Sequence, residues 1–392
     1  MTSEKAPDYL GLYLRGLQGE FYGSDYYRHP RSEIDSAIIY DDGEDKRTVA
    51  ALLVTSFAPR AALEVGCATG LLVKALRGYG VAAEGFDFSQ WCIDHADPQV
   101  RGLVRWGDVL QLEPAAAGCD LVLALDVLEH LPPEKVPQAI GNLAAALRPG
   151  GIVFAVIPAY GPNRFGPEQF PLLYEGWRRD AARGVPFRDL PLDDRGRPHL
   201  GHLTHATIDW WERTFRREGL RRLGPVERIL HRRYDAALQQ ARRSFFVFGK
   251  LGALEAVWTS RRLVDRITAV PGLPRGFWSW ECWGGERWMR WTDGAAWEAV
   301  ELNRCRELVL DAICNHPAIA DQPVAVRFQF DGAAPQRVEF RDHDWHRLTL
   351  MAPRRRFAGL SIESSRTWLP DPEADPGSQR RLGVGLSYPG AP

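Results

Sequence analysis

Several features that would assign a chain to a class at once are missing from this one. No uninterrupted apolar run approaches the length of about 18 residues that a membrane-crossing helix needs. The opening stretch, Met1-Thr-Ser-Glu-Lys-Ala-Pro-Asp, leads into no apolar signal core, so the expected location is cytoplasmic. Charge of one sign does not dominate. There are 49 basic and 50 acidic side chains, a net charge of −1, and no bulk field to recruit nucleic acid or an anionic membrane. Arginines cluster locally, as at Arg232-Arg233, which supports a patch at most. None of the six cysteines forms a CxxC pair, so neither a zinc knuckle nor a disulfide frame is indicated and reduced, mostly buried thiols are expected. No internal repeat is present.

What is present is ordinary globular composition, 45% apolar and 25% charged, spread over 392 residues. That length suits two domains of about 100–200 residues each. Over the first 250 residues, short apolar runs alternate with helical stretches, which is the pattern of an α/β fold with a parallel sheet. Strands are predicted at 61–66, 81–87, 104–108, 119–126 and 152–158, and Cys119-Asp-Leu-Val-Leu-Ala-Leu-Asp is apolar enough to be covered on both faces. From Tyr160 to about residue 206 periodicity fades, which marks an insertion, lid or binding loop. A helix is predicted after Thr207, with Thr207 as N-cap and Gly219 as stop. Strand signals return at Arg221–Ile229 and after Ser244. Residues 251–275 read as a helical linker ending at Pro271-Gly-Leu-Pro. Residues 276–392 carry six tryptophans between Trp278 and Trp297, then short alternating runs separated by turns, the grammar of an all-β sandwich.

One segment carries chemistry. Leu63-Glu-Val-Gly-Cys-Ala-Thr-Gly70 ends a strand and opens a helix. Glycines there allow a tight turn and close ligand approach, and the helix start offers unpaired N–H groups, so a nucleotide-type ligand is implied. The spacing Gly66-x-x-x-Gly70, with Ala68 between, matches a dinucleotide fingerprint poorly.

The segment resembles motif I of class I S-adenosylmethionine-dependent methyltransferases, acidic-x-Gly-x-Gly-x-Gly, with Ala68 replacing the middle glycine. Asp87 stands 23 residues after Glu64 at a strand end, suited to accept from both ribose hydroxyls. Gly107-Asp108-Val109 lies where the family's acidic residue meets the adenine amine. Asp120-Leu-Val-Leu-Ala-Leu-Asp-Val-Leu-Glu-His-Leu131 resembles the fourth motif, and Leu147-Arg-Pro-Gly-Gly the turn before strand five. The resemblance covers roughly residues 40–250. It implies a Rossmann-like seven-stranded sheet with S-adenosylmethionine held by Glu64, Gly66, Cys67, Gly70, Asp87, Phe88, Asp108, Val109 and Asp126. Tyr27, with Tyr26 and Arg28, would belong to an N-terminal arm over the cofactor; packing of an N-terminal helix is the alternative.

A hydroxyl acceptor must lose its proton during attack, and histidine is the usual base near neutral pH. His130 follows the fourth strand, where acceptors enter this fold, and helix-entry packing is its bland alternative. His199-Leu-Gly-His-Leu-Thr-His205 supplies His202 and His205 as further candidates, against an ordinary polar lid. A metal site using these histidines with Asp126, Asp193 or Asp194 is the alternative, but the carboxylates lack diagnostic spacing and no metal is expected.

The C-terminal region is similar to β-sandwich modules found beside bacterial glycan-assembly enzymes. That points to O-methylation of a sugar hydroxyl in a glycan or glycolipid. The alternatives are a small natural product or quinone-like aromatic, walled by Phe165, Phe170, Tyr174 and Trp177, and a non-catalytic glycan-binding scaffold.

Overall fold

A computed structural model describes residue 11 and residues 44–112, 118–166, 170–192, 198–235, 245–283, 287–370 and 380–388. Tyr26, Tyr27, Arg28, Asp193 and Asp194 lie outside the described residues. By its contacts the chain divides into two units. The first comprises 1–43, 59–73 and 82–264, and the second 44–58, 74–81 and 265–392.

The first unit is built on a seven-stranded sheet. β1 (Ala61–Val65), β2 (Ala82–Asp87), β3 (Val104–Trp106), β4 (Cys119–Leu125) and β5 (Leu147–Val156) are parallel. The order is β3-β2-β1-β4-β5, followed by β9 (Phe245–Gly249) and β8 (Arg221–Arg222), with β9 antiparallel to β5. The order reverses between β1 and β4, and ligands of such sheets bind outside the C-terminal ends of the strands at that point. β4 is buried from Leu121 to Leu125 because neighbours flank it on both edges and side chains cover both faces. The covering core includes Ile140 and Leu143 of the helix Val136–Ala146, and Trp211 and Phe215 of the helix Ile208–Arg217. Phe215 stacks on Phe248 with ring centres 3.9 Å apart.

Thr207 caps its helix as expected, its hydroxyl accepting from the Trp210 N–H at 3.2 Å. The strand expected at Arg221–Ile229 is a correction. Only Arg221–Arg222 is extended, and Gly224–Tyr234 is helical. Pro225 sits in its first turn, and Val226, Leu230 and Tyr234 recur every four residues on the buried side. The insertion is also more ordered than its composition suggests. β6 (Ala159–Tyr160) pairs in parallel with β7 (Ala206–Thr207) and clips it shut, and a helix runs from Glu175 to Arg183. That helix is polar and arginine-rich apart from Trp177, so no apolar stripe announces it.

In the second unit β10 (Arg275–Trp283), β11 (Arg287–Glu301), β12 (Glu307–Ile313), β13 (Val324–Phe330), β14 (Gln336–Phe340), β15 (His346–Met351), β16 (Phe357–Ser364) and β17 (Gly385–Ser387) form one antiparallel sheet: seven follow the path β14-β13-β16-β11-β17-β12-β15, and β10 pairs with β11. A sandwich of two separately bonded sheets was the expectation; the 15-residue β11 (Arg287–Glu301) instead joins both halves. It pairs with β10 from Arg287 to Trp297 and, on its other edge, first with β17 at Arg290–Trp291 and then with β16 from Ala295 to Glu301. The change of partner falls at Gly294, whose φ of 109° favours glycine. β12 (Glu307–Ile313), β13 (Val324–Phe330), β14 (Gln336–Phe340) and β15 (His346–Met351) complete the sheet around Phe328, Phe330, Leu350 and Leu360. Of the six tryptophans in Trp278–Trp297, only Trp283 is exposed, at 45%. The unit is also tied to its own helical part: Arg266 Nε donates to Thr55 O at 2.6 Å.

Candidate active site

The loop after β1 is shaped by its residues' backbone freedom. Gly66 has φ 68° and Gly70 has φ 83°. A Cβ on Gly66 would come 2.4 Å from Val127 Cγ2, so the loops leaving β1 and β4 touch only because glycine stands there. Ala68, the departure from the glycine pattern, keeps the left-handed conformation at φ 48°.

Asp87 holds that turn in place. One carboxylate oxygen accepts from Ala68 N at 2.9 Å and the other from Ser89 N at 2.8 Å. Burial pushes its pKa up from the usual carboxylate range to about 6, with the two amides pulling the other way. Each oxygen keeps a further lone pair. A buried carboxylate of this kind at the end of β2 fits a ligand with paired hydroxyls, as the ribose of S-adenosylmethionine has. Asp108 caps the turn Val109–Gln111 by accepting from Leu110 N at 2.9 Å, and Asn142 secures Val109 O at 2.8 Å. Glu64 is buried at the end of β1, and Phe88 is half-buried just past β2. The Cys67 thiol turns inward against Gly85, and its N–H is spent on Phe86 O at 3.1 Å. Asp126 opens the loop after β4 with φ 56°.

Glu64, Gly66, Gly70, Asp87, Asp108, Val109 and Asp126 therefore all sit at the C-terminal ends of β1 to β4. They share one side because in a parallel sheet every strand ends on the same side.

The histidines meet on the same side. His130 Nδ1 donates to Gly201 O at 3.2 Å, which ties the loop after β4 to the end of the insertion. Leu203 N and Thr204 N both donate to Glu129 O, at 2.7 and 2.9 Å, and Thr204 Oγ1 donates to Leu131 O at 2.6 Å. The His130 and His202 rings meet edge to face at 4.9 Å, and His202 lies 5.7 Å from His205. His199 is exposed.

His205 is buried in an aromatic box. Its Nδ1 lies 2.8 Å from the Tyr160 hydroxyl. Trp177 lies 5.7 Å from it, while Phe187, Phe170 and Tyr174 pack on Tyr160 or Trp177. Burial, aided by His199, lowers the His205 pKa to about 4, and burial raises that of Tyr160. His205 Nε2 has no hydrogen-bond partner among the described residues. Phe165, expected in this wall, packs instead against Gly224 and under the Arg222 guanidinium. Tyr160, Phe187 and Glu129 were missed as site residues. Only Glu129 had a signal, its place in Glu-His-Leu; nothing in the sequence pairs Tyr160 with His205.

A family model described as "Methyltransferase domain" matches residues 40–222. Over 97 residues the chain is 36% identical to a ubiquinone biosynthesis O-methyltransferase of Coxiella burnetii, covering 24% of this chain and 41% of that protein. A protein of the same name from Methylococcus capsulatus is 36% identical over 107 residues, 26% of this chain and 44% of its own. The chain thus spans less than half the length of these curated relatives. Among solved structures, the N-methyltransferase NodS of Bradyrhizobium japonicum with S-adenosylhomocysteine is 23% identical. That match covers 38% of this chain and 74% of NodS, with a TM-score of 0.29. Among the described residues no helix is long and apolar enough to cross a membrane. The seven-stranded sheet, the loop after β1 and the family match agree: residues 40–222 form a class I S-adenosylmethionine-dependent methyltransferase domain.

Proposed function

We propose that the chain transfers a methyl group to a hydroxyl oxygen of a small aromatic acceptor. The observation that carries this reading is the box of Tyr160, Phe170, Tyr174, Trp177 and Phe187 around His205. Phe170 and Tyr174 are 46% and 53% exposed, so the box has an open aromatic rim over a closed floor. Flat rings bind such walls by stacking and edge contacts. The curated relatives, named for O-methylation in ubiquinone biosynthesis, support an aromatic acceptor over the quarter of this chain they match. The glycan acceptor expected from the sequence has less behind it. Stacking on sugar needs exposed indoles, and only Trp283 of the tryptophan-rich run offers one.

S-adenosylmethionine supplies an electrophilic sulfonium methyl carbon. This chain would hold it through the loop Gly66–Gly70 and the carboxylates of Asp87 and Asp108. His205 is neutral across the physiological range. With Nδ1–H donated to the Tyr160 oxygen, the enclosed Nε2 keeps the lone pair and would take the acceptor's hydroxyl proton once the acceptor reaches it, while the acceptor oxygen displaces S-adenosylhomocysteine from the methyl carbon. Tyr160 is then a positioning residue that sets the tautomer. Its test is Tyr160→Phe, which lowers kcat and shifts the pH profile while leaving acceptor KM nearly unchanged.

The reading itself is tested by competition. Purified protein with S-adenosylmethionine is offered a simple catechol and a mixture of saccharides together. Methylation of the catechol alone is the expected result, and methylation of saccharide alone overturns the proposal.

A further inference from the structure

We infer that Glu129, His130 and His202 form a binding site for one divalent first-row transition ion, in contrast to the expectation from the sequence. One ligand atom from each of the three residues lies within 4.8 Å of the others. His202 Nε2 stands 4.0 Å from a Glu129 oxygen, too far for a hydrogen bond and too near for independent groups. Ligands of an ion with bonds of about 2.0–2.2 Å sit roughly 3–3.5 Å apart, so side-chain adjustments of about an ångström close the set.

The surroundings suit ligation. Accepting carbonyls fix tautomers, and His130 spends its Nδ1–H on Gly201 O, so Nε2 carries the lone pair. The Glu129 side chain is 1% exposed, and its main chain is pinned by Leu203 and Thr204. His202 is 13% exposed at its side chain, which leaves the set open on one side. Two imidazoles and one carboxylate favour zinc, iron(II), cobalt or manganese over magnesium or calcium, which prefer all-oxygen shells. Three protein ligands with an open position are the make-up of a catalytic rather than a structural ion site.

Ion binding is claimed independently of the acceptor, whereas its role rests on the oxygen-methylation reading above. An ion here, at the end of β4, would draw density from an acceptor oxygen and lower the pKa of its hydroxyl. That would ease proton transfer to His205, whose burial makes it a weak base by itself.

The test uses the full chain stripped with chelator and titrated with Co²⁺, read by ligand-field absorption. One Co²⁺ per chain, displaced by Zn²⁺, is expected. Glu129→Gln and His202→Asn should each weaken binding at least about 100-fold, while His346→Asn, in the second unit, should not. If a variant fails to fold, X-ray absorption at the zinc edge of the unaltered protein decides. Two imidazoles with oxygen support the site, whereas a sulfur shell from exposed Cys305 overturns it. Absence of stoichiometric Co²⁺ uptake also overturns it, leaving a simple His202–Glu129 ion pair. Catechol methylation without metal uptake would sink this inference alone, and metal uptake with saccharide-only methylation would sink only the acceptor reading.

Discussion

Ala68 donates its N–H to Asp87 across 2.9 Å while standing in the left-handed region at φ 48°. The carboxylate that faces the cofactor side therefore also stabilises a conformation the alanine disfavours. Ala68→Gly should raise unfolding stability by about 0.5–1 kcal/mol, offset in part by the greater freedom of glycine in the unfolded chain. Gly66→Ala should do the reverse, losing about 1–3 kcal/mol as its Cβ meets Val127. Urea denaturation of both variants measures the pair.

Asp87 gives two opposite pH dependences. Its folded pKa of about 6 lies above the unfolded value near 3.8. Folding therefore favours the protonated form. This stabilisation is full below about pH 4 and is lost as pH rises through 6, a change of about 3 kcal/mol at most. Ribose hydroxyls donate to the ionised form, so affinity for S-adenosylhomocysteine should fall as pH drops below about 6. Calorimetry between pH 5 and 8 checks this, and Asp87→Asn should weaken binding and abolish the slope.

Phe170 and Tyr174 form the open rim of the aromatic box. Phe170→Ala should raise KM for a phenolic acceptor about 3–10-fold, the worth of one aromatic contact, and leave KM for S-adenosylmethionine unchanged. Initial-rate kinetics with each substrate varied in turn separates the two.

In the second unit, Arg290 is buried against Phe277 and Trp280 and pairs with Glu298, which also accepts from the Tyr388 hydroxyl. Glu298→Gln leaves the guanidinium buried without its carboxylate. It should cost about 3–5 kcal/mol, read as a lowered denaturation midpoint.

Much of this was legible in the sequence, and for a physical reason. Parallel strands end on one side of the sheet, so the motif resemblance, read with the strand-end positions, put Glu64, Asp87, Asp108 and Asp126 together. Apolar runs marked the strands because β4 is covered on both faces. The helix Gly224–Tyr234 was hidden because Arg221, Arg222 and the branched Val226 suggested a strand, and only the four-residue recurrence tells otherwise. The helix Glu175–Arg183 was hidden by its polarity. Tyr160 and His205 meet because the clip Ala159–Tyr160 with Ala206–Thr207 brings both ends of the insertion together, a contact across 45 residues. Phe165 and Trp177 look alike in sequence, yet one lines the box and the other packs elsewhere.

The most direct measurement is to supply S-adenosylmethionine with a deuterated methyl group to the protein in a cell extract, then to fractionate the products by size and polarity. Label in the O-methyl group of a small aromatic compound is the predicted result. Label confined to polysaccharide or lipid-linked sugar, or no transferred label at all, would contradict it.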